Sequence, residues 1–226
     1  MDGRLQEVRG AITFTDLSTG GRKLADALTP CDINRDALVL GIVRGGMPAA
    51  GEVARRLDLP LDILLLKSLL VRLSGEILRA AQVAGTTVLD EGCHGLSHGS
   101  VETCVIDDGV RALTARAAAC RGARPAADVR GRTIVLIDNG MRTGQTMAAA
   151  IRTLRAMSPK RIVAATPVAS APAVGLVEPL ADELLSLATP PTLGNVAMAY
   201  QRFEVPDEAR IRELMDRSDR PSRSLC

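Results

Sequence analysis

Apolar runs alternate with amphipathic stretches along this chain, a pattern typical of strands and helices that follow one another. Residues 37–43 form a continuous apolar run, which predicts a strand buried on both faces. An apolar stripe after Gly45-Gly46 predicts a helix that Pro60 ends, and residues 61–66 predict the next strand. A strand, a helix and a strand in this order indicate a parallel pair with a right-handed crossover.

The second half of the chain repeats this alternation. Helices are predicted over residues 111–121, 144–157, 173–180 and 207–217, and strands over 133–138, 161–166 and 183–188. The pattern predicts a single α/β domain over residues 1–226, with a central, mainly parallel sheet flanked by helices. Ligands of such folds bind at the carboxyl ends of the strands.

The middle of the chain, residues 67–110, is less regular. Residues 86–89 and 101–106 resemble strands on either side of a Gly-rich tip at 92–99, which predicts a long hairpin or flap. Two acidic residues before the following helix are expected to cap it: Asp107 and Asp108. Four side chains here have a spacing that could hold zinc, although a flap explains the segment more simply: Cys93, His94, His98 and Cys104.

Composition excludes several classes of protein. The net charge is +2 with scattered basic residues, which argues against a nucleic-acid partner. No apolar run reaches the roughly 18 residues of a membrane span, and no signal-peptide pattern is present, so we expect a cytoplasmic protein with reduced cysteines and no membrane partner. The three aromatic residues, Phe14, Tyr200 and Phe203, predict that the terminal segments pack together as a small hood.

The strongest candidate chemistry follows the predicted strand at 133–138. Asp138 and Asn139 end the apolar run, and a turn rich in Gly and Thr leads into the next helix. Free amides and the positive end of a helix suit a phosphate monoester, and the carboxylate and amide before them can hold vicinal hydroxyls. A sugar phosphate is therefore the predicted ligand.

These residues resemble the type I phosphoribosyltransferases. The stretch from Ile134 to Thr146 is similar to the phosphoribosyl pyrophosphate (PRPP) motif of that family, and the stretch from Leu40 to Pro48 resembles its pyrophosphate loop. The similarity is to a bacterial branch of unassigned substrate and runs from about Phe14 to Leu214. It implies transfer of phosphoribose from PRPP to an unknown small acceptor, with Mg²⁺ bound mainly through the departing pyrophosphate.

The resemblance also implies a role for individual residues. Asp138 and Asn139 would bind the ribose hydroxyls, while Arg44 and Lys67 would neutralise pyrophosphate, and these four are the catalytic candidates. The amides of Gly45 and Gly46 would approach the pyrophosphate. The 5-phosphate would be held by the loop Gly140, Met141, Arg142, Thr143, Gly144, Gln145 and Thr146. No protein ligand to a metal is predicted.

The chain departs from the family pattern in ways that leave other functions open. Asn139 replaces the second of two acids, and Arg142 replaces a carboxylate that takes the base proton in purine-type enzymes, which disfavours a 6-oxopurine mechanism. Ser68 follows Lys67, and Leu193 replaces a ring that commonly covers the site.

Asn139 favours a rival function, a non-catalytic PRPP- or nucleotide-binding regulatory protein. A third reading reverses the roles, with a ribose-phosphate nucleotide as substrate and phosphate or pyrophosphate as the attacking group. Dimers are common in the resembled family, so a homodimer is one option for the assembly.

Overall fold

A seven-stranded sheet organises the fold. The computed structural model describes residues 13–43, 45–70, 77–83, 86–89 and 101–218. The helices are α1 (Leu17–Leu28), α2 (Gly46–Leu57), α3 (Val101–Arg121), α4 (Gln145–Ala156), α5 (Ala171–Val177) and α6 (Glu208–Ser218), and the strands are β1 (Leu38–Ile42), β2 (Leu61–Leu70), β3 (Ile77–Val83), β4 (Thr86–Leu89), β5 (Thr133–Ile137), β6 (Arg161–Val168) and β7 (Glu183–Ala188).

The strand order is β4-β3-β2-β1-β5-β6-β7. Five neighbouring strands run parallel: β2, β1, β5, β6 and β7. Beyond β2, the antiparallel strands β3 and β4 extend the sheet. This confirms the predicted α/β fold with a mainly parallel sheet. Because β1 and β5 are neighbours, the two segments that follow them leave the same edge of the sheet.

Helices cover both faces of the sheet, which explains why β1 and β5 are buried along their whole length. Alternate side chains of a strand point to opposite faces. Val39 and Val135 pack in a cluster with α1, α2, α3 and α6, whereas Leu40 and Leu136 pack in a cluster with α4 and α5. The two apolar layers hold the carboxyl edge of the sheet in a fixed position.

Helix α1 was not among the predicted elements. It begins after Asp16, whose side chain accepts a hydrogen bond from the Thr19 backbone N–H at 2.7 Å. The helix crosses α2 so closely that a Cβ atom on Gly21 would lie 2.5 Å from the Cα atom of Ala49. Glycine at position 21 therefore permits the contact between the two helices.

The middle of the chain corrects two predictions. Residues 101–106 belong to helix α3, not to a strand, because the Ala-rich helix that follows propagates backward through them at little cost per residue. Asp107 and Asp108 consequently lie inside the helix and do not cap its start; Asp108 instead pairs with Arg111. The predicted strand at 86–89 is confirmed as β4, but it pairs with β3, which was not predicted. The tip at 92–99, with its candidate zinc ligands Cys93, His94 and His98, and the side chain of Cys104 lie outside the described residues.

The two ends of the described chain meet, as the aromatic residues predicted. The Phe14 backbone N–H donates to the Ala199 carbonyl, and the Gln201 N–H donates to the Phe14 carbonyl, both at 2.8 Å. The Tyr200 ring lies 5.5 Å from that of Phe14 and 5.6 Å from that of Phe203, measured between centroids. We call residues 14–16 and 193–203 the hood.

Candidate functional site

The site begins where β5 ends, at Asp138. This residue is only 9% exposed, and its Oδ1 atom accepts a hydrogen bond from the Asn139 backbone N–H at 2.8 Å. Burial raises the pKa of the Asp138 carboxyl from 3.8 to about 7, since the single hydrogen bond offsets only part of the lost hydration. A buried carboxyl that titrates near neutral pH is typical of functional sites.

A cavity of about 290 Å³ opens beside this carboxyl. Its lining contains the whole predicted phosphate loop together with one residue of the hood: Asp138, Asn139, Gly140, Met141, Arg142, Thr143, Gly144, Gln145, Thr146, Met147 and Val196. The structure thus brings together nine of the sequence-predicted site residues around one space. The side chains of Arg142, Thr143, Gln145 and Thr146 are exposed to it or to solvent.

The loop ends at the start of α4, where donors are left free. Gly144 has a φ of +73°, a conformation that an L side chain rarely adopts, and it turns the chain into the helix. The first helical hydrogen bond runs from the Ala148 N–H to the Gly144 carbonyl at 2.8 Å. The amides of Gln145, Thr146 and Met147 precede that bond, so they form the donor-rich helix end that anions favour.

Met141 anchors the loop to the fold. Its backbone N–H donates to the Val168 carbonyl at 2.8 Å, and its carbonyl accepts from the Ser170 N–H at 2.9 Å. Its side chain is only 3% exposed and packs in the core. The Ser170 hydroxyl also donates to the Arg142 carbonyl at 2.7 Å. The Met141 amide is therefore occupied within the fold and is not among the free donors of the loop.

The segment after β1 packs directly on Asp138 and Asn139. A Cβ atom on Gly45 would lie 2.3 Å from the Asn139 Nδ2 atom. A Cβ atom on Gly46 would lie 2.7 Å from the Ile137 carbonyl oxygen and 3.1 Å from the Asp138 Cα atom. Both glycines are thus placed at the predicted ribose-binding pair. A side chain at position 45 would have to displace the Asn139 side chain, and one at position 46 would meet backbone atoms. Arg44, the charged residue of this segment, lies outside the described residues.

Lys67 occupies a different place from the one predicted. Strand β2 does not end at residue 66 but continues to Leu70, where it pairs with β3, so Lys67 lies within the strand. Its side chain is exposed and is not part of the cavity lining.

The hood adds two residues that short-range sequence patterns did not place at the site. A Cβ atom on Gly140 would lie 2.5 Å from Val196 Cγ1, so Val196 covers the loop at that point. The Tyr200 hydroxyl donates to the Asn139 carbonyl. Burial and the nearby Asp138 charge both raise the pKa of Tyr200, which therefore stays a neutral donor. In the sequence, the glycine at position 140 is the one local feature that points to the contact with Val196.

A second cavity of about 440 Å³ lies between the starts of α1 and α2, the end of the hood and α6. It shares no lining residue with the loop cavity. Both arginines that line it are paired with carboxylates of the protein, Arg202 with Asp16 and Arg210 with Glu213. The chemistry that suits a sugar phosphate is therefore found at the loop cavity.

Residues 22–188 match the family model of the phosphoribosyl transferase domain. This is well over half of the chain, and the chain belongs to that family.

Individual relatives agree with this assignment. The crystal structure of TT1426 from Thermus thermophilus is 31% identical, with a TM-score of 0.77 over 90% of this chain and 98% of TT1426. Rv0571c and MT0597 of Mycobacterium tuberculosis, provisionally named phosphoribosyl transferases, are 32% identical over 212 residues, which is 92% of this chain and 47% of each relative. The chain thus spans about half the length of these curated relatives.

In the described part of the chain, no helix combines the length and apolar character that a membrane span requires.

Proposed function

We propose that this chain binds PRPP and transfers its phosphoribosyl group to a small nitrogenous or carboxylate acceptor, with release of pyrophosphate. The observation that carries the proposal is the meeting of two loops at one sheet edge. Asp138 and Asn139 directly follow β5, Gly45 and Gly46 after β1 pack on them, and the start of α4 faces the same cavity. These three parts match the ribose, the pyrophosphate and the 5-phosphate of PRPP.

The 5-phosphate fits the start of α4. The residues with free backbone amides there line the cavity, and the helix end carries partial positive charge. The hydroxyls of Thr143 and Thr146 add donors, and the exposed guanidinium of Arg142 adds a charge that matches phosphate geometry.

The ribose hydroxyls fit the pair that ends β5. When ionised, the Asp138 carboxylate accepts hydrogen bonds from both hydroxyls, and the Asn139 amide both donates and accepts. Hydrogen bonds from the ligand favour the ionised form of Asp138. Ligand binding is therefore expected to lower the pKa of this carboxyl from its value of about 7 in the free protein.

The reaction breaks the bond between the anomeric carbon and pyrophosphate, and the electron pair leaves with pyrophosphate. A lone pair of the acceptor forms the new bond, while positive charge develops on the ribose ring. The Asp138 carboxylate lies on the ribose side of the site, and the glycine amides after β1 lie on the leaving-group side, where fixed donors stabilise growing negative charge.

The site offers Mg²⁺ one carboxylate ligand. The cation prefers oxygen ligands and is commonly held by one or two carboxylates together with substrate phosphates. Asp138 is the carboxylate available at the cavity, and most ligands would come from PRPP itself. When bound, Mg²⁺ would supply positive charge to the departing pyrophosphate.

Two adjacent glycine variants should have different effects. In Gly45→Ala the new methyl meets the end of the Asn139 side chain, which can swing away, so we expect PRPP affinity to fall several-fold with little change in stability. In Gly46→Ala the methyl meets backbone atoms, so we expect a loss of about 1–3 kcal/mol in the free energy of unfolding. Denaturant unfolding and PRPP titration of both variants measure the two effects. Full PRPP affinity in Gly45→Ala would contradict the role given to the Asn139 side chain.

Asn139→Asp would restore the second acid of the family pattern. A second carboxylate beside buried Asp138 makes its ionisation less favourable, because like charges in one site raise the pKa of one another. We expect the variant to fold and to need a higher pH than the native protein for half-maximal PRPP binding. Titrations between pH 6 and 9 (roughly the range around the Asp138 pKa of about 7) measure the midpoint. An unchanged midpoint would mean that the two side chains do not share one site.

The proposal is tested by following pyrophosphate release from PRPP with Mg²⁺ and a panel of nitrogenous and carboxylate acceptors. Asp138→Asn serves as the inactive control. Acceptor-dependent release by the native protein alone supports the transferase. The second candidate, a PRPP-binding regulator, is favoured by Asn139, and it predicts binding without release for every acceptor. Running the assay from nucleotide and pyrophosphate as well detects the reaction in its reverse direction.

A further inference from the structure

We propose that Tyr200 is a positioning residue, which holds the ribose-binding pair in place from the hood. This inference rests on the function proposed above and deepens it. Tyr200 does not line the cavity, so it would act through Asn139 and not through contact with the ligand. The inference begins from a hydrogen bond between two residues that are 61 positions apart in the chain.

The Tyr200 hydroxyl is held in a fixed position. The side chain is buried, with 6% exposure, and its ring lies between those of Phe14 and Phe203. The backbone on either side of Tyr200 is hydrogen-bonded to Phe14. Segments from both ends of the chain therefore set the location of this one hydroxyl.

The acceptor of the bond is the residue that orients the ribose contacts. The Asn139 N–H donates to the Asp138 carboxylate at 2.8 Å, and the Asn139 carbonyl accepts from Tyr200. Asn139 is thus held through both of its backbone polar groups. Gly140 follows it and has no side chain to limit rotation of the peptide between them. The tyrosine hydroxyl restrains that peptide and, through it, the direction of the Asn139 side chain.

The phosphate end of the loop is anchored separately. The Met141 backbone is hydrogen-bonded to Val168 and Ser170, and the Arg142 carbonyl accepts a hydrogen bond from the Ser170 hydroxyl. None of these hydrogen bonds involves Tyr200. Removing the tyrosine hydroxyl should therefore loosen the ribose contacts and leave the phosphate contacts unchanged. A residue that merely stabilised the fold would weaken both kinds of contact together.

The test compares native protein, Tyr200→Phe and the matched hood variant Phe203→Leu. Each is titrated with PRPP, ribose 5-phosphate, 2-deoxyribose 5-phosphate and inorganic phosphate, and thermal unfolding checks the fold. We expect Tyr200→Phe to bind PRPP and ribose 5-phosphate about five- to tenfold more weakly, the size of one hydrogen bond. Its affinity for inorganic phosphate should stay unchanged, and its preference for ribose over deoxyribose should shrink. Phe203→Leu should keep the native preference.

A spectroscopic measurement on the native protein needs no variant. The chain contains one tyrosine and no tryptophan, so its ultraviolet fluorescence reports on Tyr200. We expect ribose 5-phosphate and PRPP to change this emission and inorganic phosphate to leave it unchanged.

The outcomes separate this inference from the proposed function. Native protein that binds neither PRPP nor ribose 5-phosphate overturns both. Native protein that binds PRPP, with an unaltered ribose preference in Tyr200→Phe or an equal loss for all four ligands, overturns only the positioning role. An emission that does not respond to ribose ligands in a protein that binds them has the same consequence.

Discussion

Asp138→Asn is expected to bind PRPP at least about a hundredfold more weakly than the native protein, because two hydrogen bonds to an ionised carboxylate are each worth about 1.5–3 kcal/mol. The same variant is expected to be more stable than the native protein at pH 8. Burial explains the second effect. A carboxylate removed from water without a charged partner costs free energy, and an uncharged amide of the same shape avoids that cost.

The pH dependence follows from the pKa of Asp138. The folded value is about 7 and the ordinary value is 3.8, so the folded protein binds one proton more than the unfolded chain between these two pH values. The free energy of unfolding that Asp138 contributes is therefore fully present below about pH 4 and is lost as the pH rises to 7. Each pH unit is worth about 1.4 kcal/mol, so the loss is on the order of 4 kcal/mol above pH 7.

Denaturant unfolding of both proteins at pH 5 and pH 8 measures this difference. The stabilisation by Asp138→Asn should be larger at pH 8 than at pH 5. Asp58→Asn is a suitable control, because Asp58 is exposed at the end of α2. Its backbone has the left-handed helical conformation, which asparagine tolerates. An Asp138→Asn variant that is less stable than the native protein at pH 8 would contradict the account of the buried carboxyl.

Asp62→Ala is expected to lower the free energy of unfolding by about 3–5 kcal/mol, since it leaves a buried guanidinium without its carboxylate. Asp62 and Arg121 are 3% and 5% exposed, and the Arg121 Nε–H donates to Asp62 Oδ1 at 2.8 Å. Asp62 also accepts from the backbone N–H groups of Ile63 at 2.7 Å and Ala127 at 2.9 Å. These bonds join β2, the end of α3 and the segment that leads to β5.

An exposed ion pair provides the matched control for this prediction. Asp26 and Arg56 are each 61% exposed and lie 3.0 Å apart, so Asp26→Ala should change stability by less than about 1 kcal/mol. Denaturant unfolding of the two variants at pH 7 compares the pairs. Equal effects of Asp62→Ala and Asp26→Ala would show that the buried pair does not hold the end of α3 in place.

The candidate site could be predicted because most of it is local in sequence. The apolar strand, Asp138, Asn139 and the loop before α4 follow one another without interruption, and the strand run, the turn residues and the helical stripe each have a short-range signal. No short stretch of the sequence indicates that β1 and β5 are neighbours in the sheet. The meeting of Gly45 with Asn139 depends on this arrangement.

Two helices show why other parts were missed. Gly20 and Gly21 lower the helix propensity of α1, yet Gly21 is what lets α1 lie against Ala49 of α2. The same residue that obscures the helix is needed for its packing. At the start of α3, residues 101–106 contain several β-branched side chains that favour a strand, and the long helix they join determines their structure instead.

The contacts of the hood with the site could not be predicted from short-range patterns. Tyr200 and Val196 contact Asn139 and Gly140, although α4, β6, α5 and β7 lie between them in the sequence. The sequence indicated that the aromatic residues would pack together, which the structure confirms, and for Tyr200 it favoured packing over a contact with the ligand.

Calorimetric titration of the native protein with PRPP, with and without Mg²⁺ at pH 8, shows whether the loop cavity is a PRPP site that depends on Asp138. We expect saturable binding to one site that is tighter with Mg²⁺, is retained in Asp58→Asn and is lost in Asp138→Asn. No binding at millimolar PRPP, or binding of equal strength in Asp138→Asn, would contradict this expectation.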